Sequence, residues 1–429
     1  MFTSTIVALA LSLASTPVAT ADEGLSGSEK KSFAKIVRSC VREGDAKKRK
    51  KLWKKAKKYT DEATPAQWEQ VVRASYFGET FVPGYTKGVE FEALGEKWTY
   101  TVHMPSKMGK ELLPLVIDPG HGSVTEPEGV MDTWMELTGT RESVVYIRTD
   151  IINKLSSDGR YDAWSSNSTA AKKPNMDTVA ELFIAAIADA SRRFPIDPDR
   201  VYVHGVSQTG FWTWYLGMHA PGRFAAIAPF ASVTWHVQPY PENFKNVPIH
   251  IVHGTADATC PYVQAKQMKE KLDGVGADVT LTTVEGGPHT GITFGRWRTV
   301  WPEIAKKMRT NRYPSKIEAT LLSPVRTMVH WLQVAGMNDT GFQIRQKPGR
   351  VKGAIEGNRI TLEIEGPKEA IVWLSSEMVD LQQDVTVIVN GKEAFSGRAK
   401  PAYEAALELA IARGDGGAVY SAAVPIRVK

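Results

Sequence analysis

Among the residues of this 429-residue chain that could do chemistry, one serine stands out by its flanking sequence. Ser207 lies in Gly205-Val206-Ser207-Gln208-Thr209-Gly210, after an apolar, β-branched run and before apolar residues at helical spacing. A strand that turns straight into a helix exposes the central side chain above the sheet edge. The pattern therefore predicts Ser207 as a nucleophile, and the plain alternative is a serine that only caps a helix.

The turn around Ser207 departs from the usual pattern at one position. The residue two places after such a serine is usually small, but here it is Thr209, and the glycine follows at Gly210. Because threonine is bulkier, we expect a more strained or slightly re-aimed turn.

A serine hydroxyl is a weak nucleophile at neutral pH and needs a base that a third group orients. His289 follows Gly286-Gly287-Pro288, just past the apolar run from Val279 to Val284. Asp257 lies in the loop that leaves the run from Ile249 to Val252. The sequence thus predicts His289 as the base and Asp257 as the acid. The other histidines near strand ends, His121, His204 and His253, are expected to be structural.

Two further groups could bind the oxyanion of an acyl-transfer reaction. The backbone N–H of Gln208 lies at the start of the helix after Ser207, where the helix dipole favours negative charge. Ser123 lies in a glycine-rich loop, Asp118 to Ser123, after the apolar run Leu112 to Ile117. This loop is either a second oxyanion donor or an ordinary strand-to-helix turn.

Strands and helices must alternate to position these residues. Apolar strand patterns near 144–148, 201–206, 224–230, 249–253 and 279–284 are interleaved with helical patterns. This alternation predicts the α/β class, with a doubly wound, mostly parallel sheet. In such sheets the site lies beyond the carboxyl ends of the strands, where Ser207, Asp257 and His289 are all expected.

On these motifs, residues 97 to 310 resemble the α/β-hydrolase fold. Asp197-Pro-Asp-Arg-Val through Gly210, His253-Gly-Thr-Ala-Asp257 and Gly286-Gly-Pro-His289 are similar to secreted esterases related to polyhydroxybutyrate depolymerases and to feruloyl and acetylxylan esterases. They also resemble the catalytic domain of prolyl oligopeptidase-type peptidases. The resemblance implies a Ser207-His289-Asp257 triad and an acyl-enzyme, with no metal and no organic cofactor.

The lengths of the flanking segments limit what covers the site. A propeller domain needs several blades of about 40 residues, more than the segment before the first sheet strand supplies. Between Phe230 and Ile249, where many lipases insert a lid, the segment is short and contains Trp235. We therefore expect an open site suited to bulky or polymeric substrates. Trp235 either stacks on a sugar or phenolic acyl group or merely covers the sheet edge.

The first residues predict export. Residues 1–21 carry no charge, and a short apolar run is followed by the small-x-small sequence Ala19-Thr20-Ala21. We expect a signal peptide cleaved after Ala21, and hence a secreted or periplasmic protein. No stretch is long and apolar enough to predict a transmembrane helix. Cys40 and Cys260 are expected as buried thiols, and a disulfide between them is the alternative.

Composition is that of a globular protein, with 42% hydrophobic and 23% charged residues. The net charge of +6 is concentrated near the N-terminus, above all in the basic run 47–58. This run is either a solvated helix face or a contact to an anionic envelope surface, and nucleic acid is a poor match for an exported protein.

The tail changes to alternating strand patterns, with a hairpin turn at Asn390-Gly391 and one helix before Gly414. We therefore predict a signal peptide (1–21), a basic helical N-terminal region (22–88), the catalytic domain (89–315) and a β-rich accessory domain (316–429). The favoured function is an exported serine hydrolase of carboxylic esters. A serine peptidase and a catalytically inactive binding protein are the alternatives.

Overall fold

The computed structural model describes residues 24–120, 127–158, 175–337 and 348–428. The chain forms two compact units. Unit A comprises Met1–Glu79, Ala188–Phe194 and Arg312–Lys429, and unit B comprises Thr80–Ile187 and Pro195–Asn311. The predicted signal peptide lies outside the described residues. Among the residues described, no helix has the length and apolar character needed to cross a membrane.

Unit A begins with three helices: α1 (Gly27–Arg42), α2 (Ala46–Thr60) and α3 (Pro65–Ser75). Helix α3 begins with a capping box, in which Thr64 and Gln67 satisfy each other's backbone N–H groups. The basic run 47–58 lies within α2.

Unit B contains an eight-stranded sheet with the order β1-β2-β4-β3-β5-β6-β7-β8. Its strands are β1 (Gly84–Ala93), β2 (Glu96–Met104), β3 (Leu113–Asp118), β4 (Val145–Thr149), β5 (Ile196–Val206), β6 (Ala226–Phe230), β7 (Ile249–Gly254) and β8 (Val279–Val284). The pairs β1-β2 and β2-β4 are antiparallel, and every other pair is parallel. The predicted mostly parallel sheet is therefore confirmed.

The helices between these strands are α4 (Pro127–Thr138), α5 (Ile151–Ser157), α6 (Met176–Arg193), α7 (Gln208–His219), α8 (Tyr262–Gly274), α9 (Ile292–Gly295) and α10 (Trp297–Ala305). Large aromatic side chains fill a core on one face of the sheet: Trp134, Tyr146, Tyr202, Phe230, Trp297 and Trp301. Strands β5 and β6 pair in parallel beside this core. Because β5, β7 and β8 run parallel, their carboxyl ends share one edge of the sheet.

The rest of unit A consists of two five-stranded sheets. One has the order β10-β11-β14-β18-β17 and the other β16-β15-β13-β12-β9. The strands are β9 (Lys316–Leu321), β10 (Met328–Val329), β11 (Leu332–Ala335), β12 (Gly349–Glu356), β13 (Arg359–Glu365), β14 (Glu369–Leu374), β15 (Val385–Val389), β16 (Lys392–Gly397), β17 (Lys400–Pro401) and β18 (Ala422–Arg427). Side chains of both sheets share one apolar core, and the predicted hairpin at Asn390-Gly391 joins β15 to β16.

The N-terminal helices and the β-rich tail were predicted as separate regions, but both belong to unit A. Helix α11 (Tyr403–Arg413) explains this difference, because Tyr403, Leu407 and Ile411 pack in one cluster with Phe33 and Trp68. The buried Glu69 carboxylate also accepts hydrogen bonds from Ser375, Ser376 and Ser421. The helices thus bury their apolar faces against the tail rather than against each other alone.

Candidate active site

Ser207 lies between β5 and α7 in a strained backbone conformation. Its φ is 58° and its ψ is −117°, in the region that favours glycine. The surrounding backbone holds it there: the Ser207 N–H donates to the Phe230 carbonyl at 3.0 Å, and the Phe211 N–H donates to the Ser207 carbonyl at 2.9 Å. Strain of this kind persists only where neighbouring contacts enforce it, and it is concentrated at functional sites.

The glycines around Ser207 are required by close contacts. A Cβ at position 205 would lie 2.3 Å from the Thr209 carbonyl oxygen, and a Cβ at position 210 would lie 2.7 Å from the Ser232 Cβ. These approaches bring α7 against the ends of β5 and β6. The turn is therefore compatible with glycine but not with a larger residue at either position.

Thr209 has a role that sequence reasoning missed. Its hydroxyl accepts a hydrogen bond from the Val206 N–H at 2.7 Å and donates to the Val206 carbonyl at 3.0 Å. These bonds tie the first turn of α7 to the last residue of β5. The bulkier side chain thus fastens the turn, which gives a physical reason for the unusual spacing.

The structure brings Ser207, His289 and Asp257 into one hydrogen-bonded series. The His289 Nε2 lies 3.0 Å from the Ser207 Oγ, and the His289 Nδ1 lies 2.8 Å from the Asp257 Oδ2. A neutral imidazole with its proton on Nδ1 satisfies both bonds, since it donates to the carboxylate and accepts from the hydroxyl. This is the geometry in which a histidine can take a proton from a serine.

The Asp257 carboxylate is buried and fully engaged. Its Oδ1 accepts hydrogen bonds from the backbone N–H groups of Thr259 at 2.9 Å and Cys260 at 2.8 Å, while Oδ2 faces His289. These backbone donors fix the position of the carboxylate. The carboxylate is therefore held so that one oxygen orients the imidazole.

Two loops position the acid and the histidine, and three hydrogen bonds join them. The Thr255 N–H donates to the Val284 carbonyl, the Ala256 N–H to the Gly287 carbonyl, and the Gly286 N–H to the Thr255 hydroxyl, at 2.9–3.0 Å. The two loops leave the neighbouring parallel strands β7 and β8. The separation of Asp257 and His289 is thus fixed by backbone contacts.

His253 lies beside this pair in a structural position, at the end of β7. Its Nε2 lies 2.7 Å from the Cys260 carbonyl and 3.3 Å from the Asp257 Oδ2. Burial lowers the pKa of His253, so the neutral ring donates from Nε2. Sequence analysis did not predict its contact with Asp257, because the hydrophobic pattern indicates which residues end a strand but not which side chains they contact.

The remaining histidine candidates and the cysteines are not part of the series. His204 is buried, stacks on Trp134 and bonds to the Tyr146 hydroxyl at 2.8 Å. His121 lies outside the described residues. Cys40 and Cys260 are free and buried, and burial raises the pKa of each thiol to about 11. The prediction that both are buried thiols is therefore confirmed.

Of the two predicted oxyanion-binding groups, Gln208 lies within the described residues and Ser123 does not. Gln208 is the first residue of α7, directly after Ser207, and its side chain is buried. Ser123 lies outside the described residues. The described start of its loop is anchored, because the Asp118 carboxylate pairs with Arg148 and accepts the Gly120 N–H at 2.9 Å. Sequence reasoning missed this buried ion pair.

Trp235 lies at the rim of the site and is 53% exposed. Its ring centroid is 6.1 Å from that of Phe211, which is one helical turn beyond Ser207. Phe211 in turn stacks on the buried His236 ring at 3.7 Å. The predicted substrate contact is thus an exposed ring close to the serine turn.

Comparisons with known proteins give a family match for the segment that contains the candidate active site. Residues 160–293 match the model of a family described as phospholipase/carboxylesterase. Ser207, Asp257 and His289 all lie inside the matched stretch. Acyl-protein thioesterase 1 of Neurospora crassa is 30% identical over 101 residues, which is 22% of this chain and 41% of that relative. The chain thus spans less than half the length of this curated relative.

Solved structures of similar fold include three esterases. A thermostable esterase has 18% identity and a TM-score of 0.39, covering 52% of this chain and 63% of its own. Est1E from Butyrivibrio proteoclasticus has 14% identity and a TM-score of 0.39, covering 52% and 100%. A truncated carbohydrate esterase from gut microbiota has 13% identity and a TM-score of 0.36, covering 54% and 99%. The strand order of unit B is that of the α/β-hydrolase fold, and residues 160–293 are similar to the phospholipase/carboxylesterase family.

Proposed function

We propose that this protein hydrolyses carboxylic esters, with Ser207 as the nucleophile. The observation that supports this most is the series Ser207 Oγ, His289 and Asp257, with bonds of 3.0 and 2.8 Å at the carboxyl ends of β5, β7 and β8. The match to a phospholipase/carboxylesterase family agrees with ester chemistry.

In the proposed reaction, the Ser207 oxygen attacks the ester carbonyl while His289 Nε2 takes the hydroxyl proton. Asp257 stabilises the resulting imidazolium. The Gln208 backbone N–H, at the N-terminus of α7, is the first proposed contact of the tetrahedral oxyanion, and Ser123 is the second. The imidazolium then protonates the departing alcohol, leaving an acyl group on Ser207.

A water molecule then hydrolyses the acyl-enzyme, with His289 again transferring the proton. His289 takes a proton from the water molecule as its oxygen attacks the acyl carbonyl, and it returns the proton to Ser207 as the acid departs. The reaction consumes one ester and one water, and it releases one alcohol and one acid. All proton transfers use side chains of this chain.

Exposed apolar side chains at the rim of the site could contact a flat or apolar part of the substrate's acyl group or alcohol. Trp235 and Val263 are each 53% exposed. Thr234, next to Trp235, donates its backbone N–H to the side-chain oxygen of Gln264 at 3.0 Å and its hydroxyl to the Gln264 carbonyl at 3.1 Å, and Gln264 is next to Val263. The two apolar side chains therefore flank a fixed segment beside the serine turn. We propose polymer- or carbohydrate-linked acyl groups as substrates, and a secreted or periplasmic location.

Hydrolysis of p-nitrophenyl acetate and of an aminoacyl p-nitroanilide tests this function. The wild type should release nitrophenol faster than nitroaniline, and Ser207→Ala should lower ester turnover by a factor on the order of 10⁶. Faster amide cleavage would favour the peptidase alternative. Absence of turnover with both substrates would favour the inactive binding protein.

A further inference from the structure

All exposed charged residues of helix α2 are lysines. Its eight lysines are all exposed, and we call them the lysine face: Lys47, Lys48, Lys50, Lys51, Lys54, Lys55, Lys57 and Lys58. The buried residues of the helix are Arg49, Ala56 and Tyr59. At about 100° per residue, the lysines occupy the half of the helix opposite to these three residues.

The buried side of α2 is firmly anchored in unit A. The Arg49 guanidinium pairs with both oxygens of Glu408 at 2.8 and 2.9 Å and donates to the Glu43 carbonyl at 2.8 Å. Ala56 and Tyr59 belong to the apolar cluster of the helical region, and the Tyr59 ring stacks on Phe33 at 5.4 Å. The lysine face is therefore carried by an element with a fixed orientation.

Three carboxylates act electrostatically on the lysine face: Glu29 on Lys58, Glu404 on Lys50, and the N-cap Asp45 on Lys47 and Lys48. None of the eight lysines forms a salt bridge within the described part of the chain, and the first turn of α2 carries no acidic residue. Lys47, Lys51 and Lys55 follow one another at i, i+4 spacing, where like charges destabilise a helix. Arg49, the buried basic residue of α2, is paired with Glu408. The lysine face thus keeps a net positive charge, which an anionic partner would neutralise.

Two classes of anionic partner fit poorly. A helix that lies in a bilayer inserts its apolar side. Here that side is packed against the protein, since Trp53 is half-buried and its ring lies edge-on to Trp68 at 5.8 Å. Nucleic-acid surfaces combine basic residues with exposed rings that stack on bases, and with arginines that bind phosphate in pairs. The lysine face contains neither an aromatic ring nor an arginine.

We propose that the lysine face binds an anionic polysaccharide that carries single carboxylate groups along its length. Lysine is a compact point charge, suited to separate carboxylates rather than to bidentate phosphate recognition. Lysines four residues apart are separated by about 6 Å along the helix axis, comparable with one hexose unit of an extended polysaccharide. The face is thus a linear array that can follow a linear polymer. This proposal does not depend on the proposed ester hydrolysis.

Binding of the full chain to polygalacturonate, measured by affinity electrophoresis over a range of salt concentrations, tests the proposal. The variant Lys51→Gln, Lys54→Gln, Lys55→Gln removes three charges at the centre of the face and keeps good helix formers. A matched variant, Lys368→Gln, Lys392→Gln, Lys400→Gln, removes three exposed lysines of unit A outside α2. Thermal unfolding verifies that both variants fold.

The wild type should bind polygalacturonate and not neutral dextran, with an affinity that falls as salt rises. The α2 variant should lose about tenfold or more in affinity, and the matched variant should change less than about twofold. Lack of binding by the wild type, or equal losses in the two variants, would overturn the proposal. So would tighter binding to a DNA duplex or to phosphatidylglycerol vesicles than to polygalacturonate, because either would assign the face to another partner.

Discussion

Gly254, the last residue of β7, lies directly against Gly287 in the loop that carries His289. A Cβ added to Gly254 would be 2.0 Å from the Gly287 carbonyl oxygen. The same oxygen accepts the Ala256 N–H at 3.0 Å. This backbone contact sets the distance between the loop of Asp257 and the loop of His289. Only glycine fits at position 254 at this distance, and Asp257 therefore reaches His289.

Substitution of Gly254 should therefore impair the site more than the fold. In Gly254→Ala the methyl group must push the Gly287 loop away, which lengthens the Asp257–His289 bond. We expect kcat for p-nitrophenyl acetate to fall by roughly 10²-fold, as small misplacements of catalytic groups do, and stability to fall by about 1–3 kcal/mol. Gly274→Ala is the matched control, since a Cβ there meets no atom within 4 Å. Equal kcat values for the two variants would contradict this explanation.

Asp257→Asn should hold His289 in the wrong tautomer without disturbing the loops. The asparagine oxygen can still accept the Thr259 and Cys260 N–H groups, which leaves its NH₂ group facing His289 Nδ1. The imidazole must then carry its proton on Nε2 and cannot accept the Ser207 proton. We expect kcat to fall by about 10⁴ with little change in KM.

Steady-state kinetics of Asp257→Asn, beside the exposed control Asp273→Asn, provide the measurement. A loss confined to KM would show that Asp257 helps to bind the substrate and does not orient His289.

Local patterns in the sequence predicted much of this site. The apolar run before Ser207 and the helical spacing after it fixed the turn, and the ends of the runs at 249–254 and 279–284 placed Asp257 and His289 on one sheet edge. The Gly254–Gly287 approach, the Thr209 bonds and the packing of α1–α3 on α11 were not predictable. They join residues far apart in the chain or depend on side-chain direction, which periodicity does not encode.

The burial of His236 should make stability depend on pH. Burial lowers its pKa from 6.5 to about 3, so the folded protein keeps this ring neutral while the unfolded chain protonates it below about pH 6.5. The unfolded state then binds more protons, and stability is lost as the pH falls from about 6.5 toward 3. Between pH 7 and pH 5, His236 alone should cost about 2 kcal/mol.

Urea unfolding of the wild type and of His236→Phe at pH 5 and pH 7 isolates this effect. The wild type should lose about 2 kcal/mol more than the variant between the two pH values. His219, whose pKa is raised by its bonds to Asp177 and Glu181 despite burial, acts in the opposite direction but is common to both proteins. Identical losses in both proteins would exclude a neutral buried His236.

Trp235 should distinguish aromatic from small acyl groups. Its exposed ring can stack on a planar acyl group, a contact of about 0.5–1.5 kcal/mol. Trp235→Ala should raise KM for methyl ferulate by up to about tenfold and leave the hydrolysis of ethyl acetate unchanged. Met308→Ala removes a side chain of similar exposure, 51%, elsewhere in unit B. If that control raises KM for methyl ferulate equally, Trp235 has no specific role.

The central claim is that the acyl group passes through Ser207. Rapid-quench incubation with p-nitrophenyl acetate, followed by mass spectrometry of peptides, tests it most directly. We predict one acetyl group per chain on the peptide that contains Ser207, formed at the rate of the nitrophenol burst and absent from Ser207→Ala. An acetyl group on a different residue at the burst rate, or undiminished turnover by Ser207→Ala, would contradict the account.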